Sequence, residues 1–418
     1  MASITPALPA PGISQPSSLQ RLQEVLRPRG PIWTPFNVIS VMIMALGAAL
    51  LVVRFAYGLG AITNLSQDVP WGLWIGFDVV TGVAFAGGAY VVTFMVYVLG
   101  LKHYRPIVRA TVLNGLLAYA FYAGALLLDL GRPWNVINPI IGNKFGVSSV
   151  LFLVAWHFML YMMAEFVEFS PAIAEWLGWE RLRKVLHSLT LAAVIIGVTL
   201  STLHQSGLGA LYLMAGSKIH PLWYSQLLPL LFLVSSVFAG LSMVILEGTL
   251  SHRVFNHRLD DDGRLSHKGI VLGLSRVCAL AMFVYLFLKV IDIVRDQDLV
   301  WLATGMGAWY LFEVVGLVLI PCLLFMAALR RRSLSLARIA SGMALAGIVL
   351  NRINVSMIAY RWDAAVRYVP TWMEVEITLA VICAEIWVFR WIINRLPVLG
   401  TTDAGTKAPE TITAAKEA

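Results

Sequence analysis

Residues 71–100 read WGLWIGFDVVTGVAFAGGAYVVTFMVYVLG, a run in which Asp78 is the sole acidic or basic side chain. A helix rises about 1.5 Å per residue and needs about 20 apolar residues to cross bilayer hydrocarbon. This run exceeds that length. Nine other stretches meet the same test, so spans are expected at 35–60, 71–100, 108–131, 147–169, 185–204, 226–247, 269–292, 305–328, 335–359 and 373–394. Continuous apolar runs of this length are not the alternating strands of a closed β-barrel. The expected fold is an all-α membrane protein of ten transmembrane helices.

Composition agrees. Hydrophobic residues make up 59% of the 418 and charged residues 13%, against about 45–50% and about 25% in soluble domains. That excludes a soluble enzyme, a nucleic-acid binder and a disordered chain, despite a net charge of +8. With both termini assigned to the cytoplasm, Lys and Arg number 21 on the inner segments and 6 in the outer loops, the bias that retains basic loops inside. Trp71, Trp74, Trp134, Trp223, Trp301 and Trp372 lie near outer span ends, as an interfacial aromatic belt requires. The start of the chain has no short apolar segment ending in a cleavage site, so no removable signal peptide is expected.

The tripeptide Phe85-Ala86-Gly87 of the second span recurs as Phe238-Ala239-Gly240 in the sixth. Two four-helix bundles, spans 2–5 and 6–9, related by an axis along the membrane normal account for the recurrence, leaving spans 1 and 10 peripheral. The organisation read from this is a cytoplasmic segment 1–34, span 1 with the first bundle at 35–204, the second bundle at 205–372, span 10 at 373–396 and a disordered cytoplasmic tail at 397–418.

Ionisable groups in hydrocarbon cost a few kcal/mol each and face the bundle interior. Asp78 lies about 10 Å below the outer surface at helical rise. Asp129 and Arg132 end the third span on that side, and His204 and Gln205 end the fifth. Three helices thus bring an acid, an acid–arginine pair and an imidazole to similar depth. The plain alternatives are an i, i+3 ion pair for Asp129 and Arg132 and a helix-end role for His204. His157, Tyr161, Glu165 and Glu168 share one face of the fourth span. Such a stripe suits proton delivery from the cytoplasm, although Glu168 is expected merely to reach the inner interface. The second bundle carries Arg276, Lys289 and Asp292, Glu313, and Asn351, Arg352 and Asn354; Lys289 and Asp292 are spaced to pair with each other.

Cys278, Cys322 and Cys383 form no CxxC pair, so no thiolate metal site or c-type haem is expected. A b-type haem needs two histidines at one depth, and only His157 is deep. Haem and metal are therefore not expected, while a diffusible organic redox ligand is compatible.

The segments Val69-Pro70-Trp71-Gly72-Leu73-Trp74 with Asp78, Leu128-Asp129-Leu130-Gly131-Arg132-Pro133, Leu203-His204-Gln205-Ser206-Gly207-Leu208-Gly209, His220-Pro221-Leu222-Trp223-Tyr224 and Asn351-Arg352-Ile353-Asn354-Val355 resemble the NrfD/polysulfide-reductase-C family of quinone-interacting membrane subunits, in its ten-span HybB/QrcD-like branch. The resemblance covers residues 35–395. It implies a subunit of the bacterial inner membrane that exchanges electrons between a periplasmic ferredoxin-like iron–sulfur partner and menaquinone or ubiquinone, with menaquinone reduction the favoured direction. Further partners implied are multihaem cytochrome c, molybdopterin-type or NiFe hydrogenase subunits. Carried over residue by residue, Asp78, Asp129, Arg132, His204 and Gln205 become quinone-binding positions, with Asp78 and His204 moving protons. His157, Tyr161, Glu165, Lys289, Asp292, Glu313 and Arg352 fall on the expected proton paths. A secondary transporter and an anchor without a quinone site are the rival readings. Against the transporter, Pro229 and Pro321 are not equivalent breaks in the two halves.

Overall fold

A computed structural model describes residues 27–28, 31–67, 69–138, 146, 148–254, 261–365 and 367–398, with 251–254 and 261–266 as backbone only. Most of the expected 1–34 segment and of the 397–418 tail lies outside the described residues. Ten long helices follow in order: α1 (Pro35–Tyr57), α2 (Trp74–Val98), α3 (Arg105–Asp129), α4 (Val150–Trp176), α5 (Glu180–Leu213), α6 (Leu228–Val254), α7 (Asp261–Arg295), α8 (Gly305–Arg331), α9 (Leu334–Ile358) and α10 (Trp372–Ile393). Among the described residues there is no strand, only an isolated bridge between Ile219 and Tyr360.

Nine of these helices, α1 to α9, are long and apolar enough to cross a membrane. The remaining helix, α10, spans 22 residues but carries Glu374, Glu376, Glu385 and Arg390. Its start is encoded locally: Thr371 accepts the Glu374 N–H at 3.1 Å while the Glu374 carboxylate accepts the Thr371 N–H at 2.8 Å, a reciprocal cap. Thr34, Ser333 and Thr304 cap α1, α9 and α8 through their hydroxyls.

Three helices contain widened π turns: Trp74–Val79 and Phe94–Val98 in α2, Phe312–Leu319 in α8 and Asn354–Ile358 in α9. Such turns hold an extra residue and are frequent at functional sites. In the first, the Thr81 hydroxyl donates to the Gly76 carbonyl at 2.9 Å, satisfying an oxygen within the widened ladder. Asp78, Glu313 and Asn354 all sit on these turns.

Helix α2 is the most enclosed of the spans and lies against α3, α5 and α6. The repeated tripeptides meet there. A Cβ on Gly88 would stand 2.7 Å from the Gly240 carbonyl oxygen, and one on Gly87 would stand 2.6 Å from that of Ser236. Small residues permit this backbone approach without a hydrophobic driving force, and the Tyr90 and Ser236 hydroxyls bond across it at 2.9 Å. Elsewhere α4 pairs with α5, α1 with α10, α6 with α7 and α8 with α9. One end of the molecule is loop-rich: Arg361 N–H donates to Lys218 O at 2.6 Å, His220 N–H to Ala359 O at 2.9 Å, and Asn64 to Val369 O at 3.0 Å. At the opposite, basic end Arg109 pairs with Glu175 at 2.8 Å.

Two differences from the sequence reading reposition the site. Helix α5 continues to Leu213, so His204 and Gln205 lie more than two turns inside it and cap nothing. Trp74 and Trp223 leave the aromatic belt: both are fully buried, their indole N–H groups held by the Glu374 carbonyl and the Glu313 carboxylate.

Candidate functional site

The expected outer cluster divides into two groups of residues. The first lies where α1, α2, α3 and α10 meet near the loop-rich end. Asp78 is 1% exposed; its Oδ2 accepts from Thr378 Oγ1 at 3.0 Å and its Oδ1 has no partner. Asp129, at the last turn of α3, also holds a buried Oδ1 without a partner. Arg54 from α1 is buried, and its guanidinium donates to the Leu128 carbonyl at 2.8 Å and the Leu130 carbonyl at 2.5 Å. It thereby caps α3 beside Asp129. Arg132 is exposed and bonds none of these groups. The i, i+3 pair between Asp129 and Arg132 is not formed, because Arg132 follows the helix end and is exposed; the arginine nearby is Arg54, whose guanidinium is engaged by the two backbone carbonyls.

Glu374 closes this region. It receives the Tyr368 hydroxyl and the Asn64 and Thr371 N–H groups. Burial, then the bond to Glu374, holds the Tyr368 phenol protonated well above its ordinary range. An apolar groove of about 460 Å³ opens alongside, between α1, α3 and α10; every lining residue, from Met44 and Gly47 through Gly124 and Leu128 to Ile377 and Ala384, is apolar.

The second group lies inside α2–α5. His204 is buried, with Nδ1 3.1 Å from the Val154 carbonyl and Nε2 without a partner. A carbonyl only accepts, so Nδ1 carries the proton and Nε2 presents a lone pair. Donation from Nε2 therefore requires the imidazolium. Gln205 Nε2 donates to the Val83 carbonyl at 2.8 Å, tying α5 to α2. The His204 ring faces Tyr119 and Phe158, with centroids 5.7 and 5.4 Å away, and Tyr119 packs edge-on against Tyr161 at 4.7 Å. Ser201, Tyr119, Tyr161 and both oxygens of Glu165 are buried without hydrogen bonds of ordinary geometry. The absent side chain of Gly115 leaves the space that the Glu165 carboxylate fills, and Gly197 does the same for Glu168 and Tyr161. A row of protonatable groups thus runs from His204 through Tyr119, Ser201 and Tyr161 to Glu165 and Glu168. His157 is half-buried with Nδ1 unpaired and lies at the side of this row.

No hydrogen bond or ring contact joins Asp78 to His204. The Asp78 carboxylate faces Thr378 of α10, while Val83, five residues on, meets Gln205 of α5.

In the other half one acid is saturated by comparison, although Arg352 Nε and the Tyr310 hydroxyl are buried without a partner. Glu313 accepts from Trp223 Nε1 at 2.8 Å, Asn351 Nδ2 at 2.7 Å and Asn354 Nδ2 at 2.5 Å. Arg352 donates to Asn351 Oδ1 at 2.8 Å and Ser235 Oγ at 2.7 Å, with its guanidinium 3.5 Å over the Phe232 ring. Lys289 is buried between the Tyr310 and Tyr285 rings, at 5.4 and 6.0 Å. Asp292 bonds Ser225 at 2.5 Å and lies 3.6 Å from Arg295, so the expected Lys289–Asp292 pair is not formed.

Arg54, Tyr119, Ser201 and Thr378 escaped the sequence reading, and Trp223 was read only as an interfacial residue. Arg54 carried a signal, being an arginine inside an apolar span. The others meet partners 82 to 300 positions away.

Helical spans enclosing buried, incompletely paired polar groups define a multi-pass membrane protein, and the comparisons name its kind. Residues 61–361 match the family described as Polysulphide reductase, NrfD. The chain belongs to that family and is a multi-pass protein of the bacterial inner membrane. A protein of Nitratidesulfovibrio vulgaris is 44% identical over 370 residues, covering 88% of this chain and 95% of its own. The "Probable Ni/Fe-hydrogenase 2 b-type cytochrome subunit" of Escherichia coli is 31% identical over 353 residues, covering 84% and 88%. The "Menaquinone reductase, integral membrane subunit" of N. vulgaris is 25% identical over 368 residues, covering 82% and 86%.

Proposed function

We propose that this chain is the quinone-reactive membrane subunit of a multisubunit respiratory oxidoreductase, passing electrons from an iron–sulfur partner on its loop-rich, outward face to quinone, most simply menaquinone. Two relatives carry names of redox-complex membrane subunits, one of them a menaquinone reductase. The observation that carries the reading is the placement of Asp78: fully buried, one oxygen unpaired, on a π turn beside an apolar groove. A quinone has that duality, polar at its carbonyls and apolar elsewhere. In this reading α10 is the tenth span, both termini are cytoplasmic, and spans 2–5 and 6–9 form two bundles meeting at Gly87, Gly88 and Gly240.

Reduction of a quinone to its quinol takes two electrons and two protons. The partner supplies the electrons. Asp78 delivers one proton from its carboxyl group to a quinone oxygen, with Asp129 beside it and Arg54 holding the end of α3 in place. His204, which does not touch Asp78, supplies the other proton toward the pocket from Nε2 as imidazolium, while Nδ1–H stays on the Val154 carbonyl. Gln205 fixes α5 against α2, and Arg132 lies at the rim. Tyr161, Glu165 and Glu168, with Tyr119 and Ser201, return a proton to His204 from the basic, cytoplasmic end, and His157 flanks that route. Uptake from that side makes turnover electrogenic. Lys289, Asp292, Glu313 and Arg352 form a second polar region that serves proton movement in the other half.

The test is quinone-linked turnover of the purified complex and membrane potential in proteoliposomes, for Asp78→Asn and Glu165→Gln. Loss of a positioned acid lowers the rate by roughly 10²–10⁴-fold, so Asp78→Asn is expected at the lower end of that range. Glu165→Gln is expected to remove the potential. Unchanged turnover in the first variant removes Asp78 from the scheme; an unchanged potential in the second removes the Glu165 route.

A further inference from the structure

The groove between α1, α3 and α10 lies beside Asp78 but is lined by none of the residues assigned to the head group. Its lining comes from three helices far apart in sequence and includes small residues from each: Gly47 and Ala48, Ala120 and Gly124, Ala380 and Ala384. Ala48 and Ala120 are exposed at its rim, so it opens sideways. Around spans of this hydropathy the surrounding medium is hydrocarbon, and no lining side chain carries a polar atom. Its occupant is therefore a lipid-soluble chain.

Its surroundings narrow the choice. Leu128 and Ile377 line it, and Asp129 and Thr378, next to them in the chain, belong to the polar group around Asp78. Thr378 donates to Asp78, and both Asp78 and Asp129 hold buried carboxylate oxygens without a partner. Glu374 adds a third carboxylate nearby, while the Arg54 guanidinium is spent on two backbone carbonyls. Among the described residues, three acidic side chains and an arginine already engaged leave the phosphate of a phospholipid no free cation to pair with. A neutral head group whose oxygens accept hydrogen bonds is not disfavoured.

We infer that this groove holds the isoprenoid tail of the quinone, and that quinones enter the subunit sideways through it, so that the subunit selects long-tailed over tail-less quinones. The inference rests on the quinone reading above, and the experiment separates the two. Gly124 supplies the probe: a Cβ there meets no atom within 4 Å, so a large side chain at this position fills the groove without disturbing its walls. Ala48, on the rim from the opposite helix, supplies an independent plug.

Gly124→Trp and Ala48→Trp complexes would be assayed with menaquinone-4 and with menadione, which has the same ring and no tail. Both variants are expected to lower kcat/KM for menaquinone-4 by roughly tenfold, the change that follows from expelling about two buried CH2 groups at about 0.8 kcal/mol each. Menadione turnover is expected to stay within about twofold of wild type. Equal loss of both substrates, or loss of neither, overturns the inference. A phospholipid that co-purifies with wild type and is lost from Gly124→Trp, with both quinone rates unchanged, also overturns it. Leu46→Trp, on an exposed face of α1 outside the groove, should behave as wild type; if it loses both activities, bulk on this helix acts through packing and the inference fails. A wild-type complex that reduces neither quinone refutes the quinone reading itself, whatever the variants do.

Discussion

The indole N–H of Trp223 donates to the Glu313 carboxylate at 2.8 Å, pinning a residue of the α5–α6 connection to an acid inside α8. Asn351 and Asn354 add two more donors, so this carboxylate ties the α5–α6 connection and α9 to α8. Glu165, equally buried, accepts no hydrogen bond of ordinary geometry. The first glutamate is fixed by its donors; the second has none to give up when its protonation changes.

Neutral substitutions distinguish them. In Glu313→Gln the new amide NH2 faces at least one of the three donors, and each buried donor left unmatched costs roughly 1–3 kcal/mol. Glu165→Gln leaves no donor unmatched and should cost less stability than Glu313→Gln. Thermal unfolding of both detergent-solubilised variants checks this. A Glu165→Gln that unfolds well before Glu313→Gln contradicts the assignment.

Arg54 and Arg132 make a second contrast. Arg54→Met strips donors from the Leu128 and Leu130 carbonyls and should destabilise by roughly 1–3 kcal/mol for each acceptor left without a donor. Arg132→Ala, at an exposed site, should change stability by less than about 0.5 kcal/mol. Hydrogen exchange at residues 125–130 reports the difference directly: faster exchange is expected in the first variant alone.

His220 lies in the loop-rich end, ringed by Trp223, Trp301 and Trp362 with centroids 4.7 to 5.6 Å away. Its Nδ1 accepts the Leu222 N–H at 3.2 Å, which only an unprotonated nitrogen can do. Burial pushes its pKa below the ordinary histidine value. The unfolded chain therefore binds the proton more readily, and stability rises with pH across this region. The contribution is complete above about pH 6.5 and lost as the pH falls below it. The Tm difference between wild type and His220→Gln should shrink on going from about pH 7.5 to about pH 5.5. A constant difference would show that the ring does not titrate with unfolding.

Local signals carried the spans, because each crossing must satisfy its own backbone within an apolar run. The same rule marked Asp78, Glu165, Glu313, Lys289 and Arg352, each an ionisable group too costly to leave in hydrocarbon, and all five are buried. Pairing was not legible. Thr378 meets Asp78 across 300 positions and Arg54 meets Leu128 across 74, and nothing in either segment specifies the other. The division of Asp78 from His204 depends on helix rotation, which a shared depth does not fix. Equal depth in sequence is a statement about one coordinate; the site is made in the other two.

The π turn at Trp74–Val79 fits one residue more than a regular ladder would take, at the level of Asp78. Removing a single residue from that turn would leave α2 straighter and its backbone bonds more regular. It would also rotate the acid by about 100° about the helix axis relative to Gly82, Gly87 and Gly88 below, whose positions are fixed by Tyr122 and by α6. The protein thus keeps an irregular coil of backbone so that one face of α2 can be dovetailed to its neighbour while another is aimed separately.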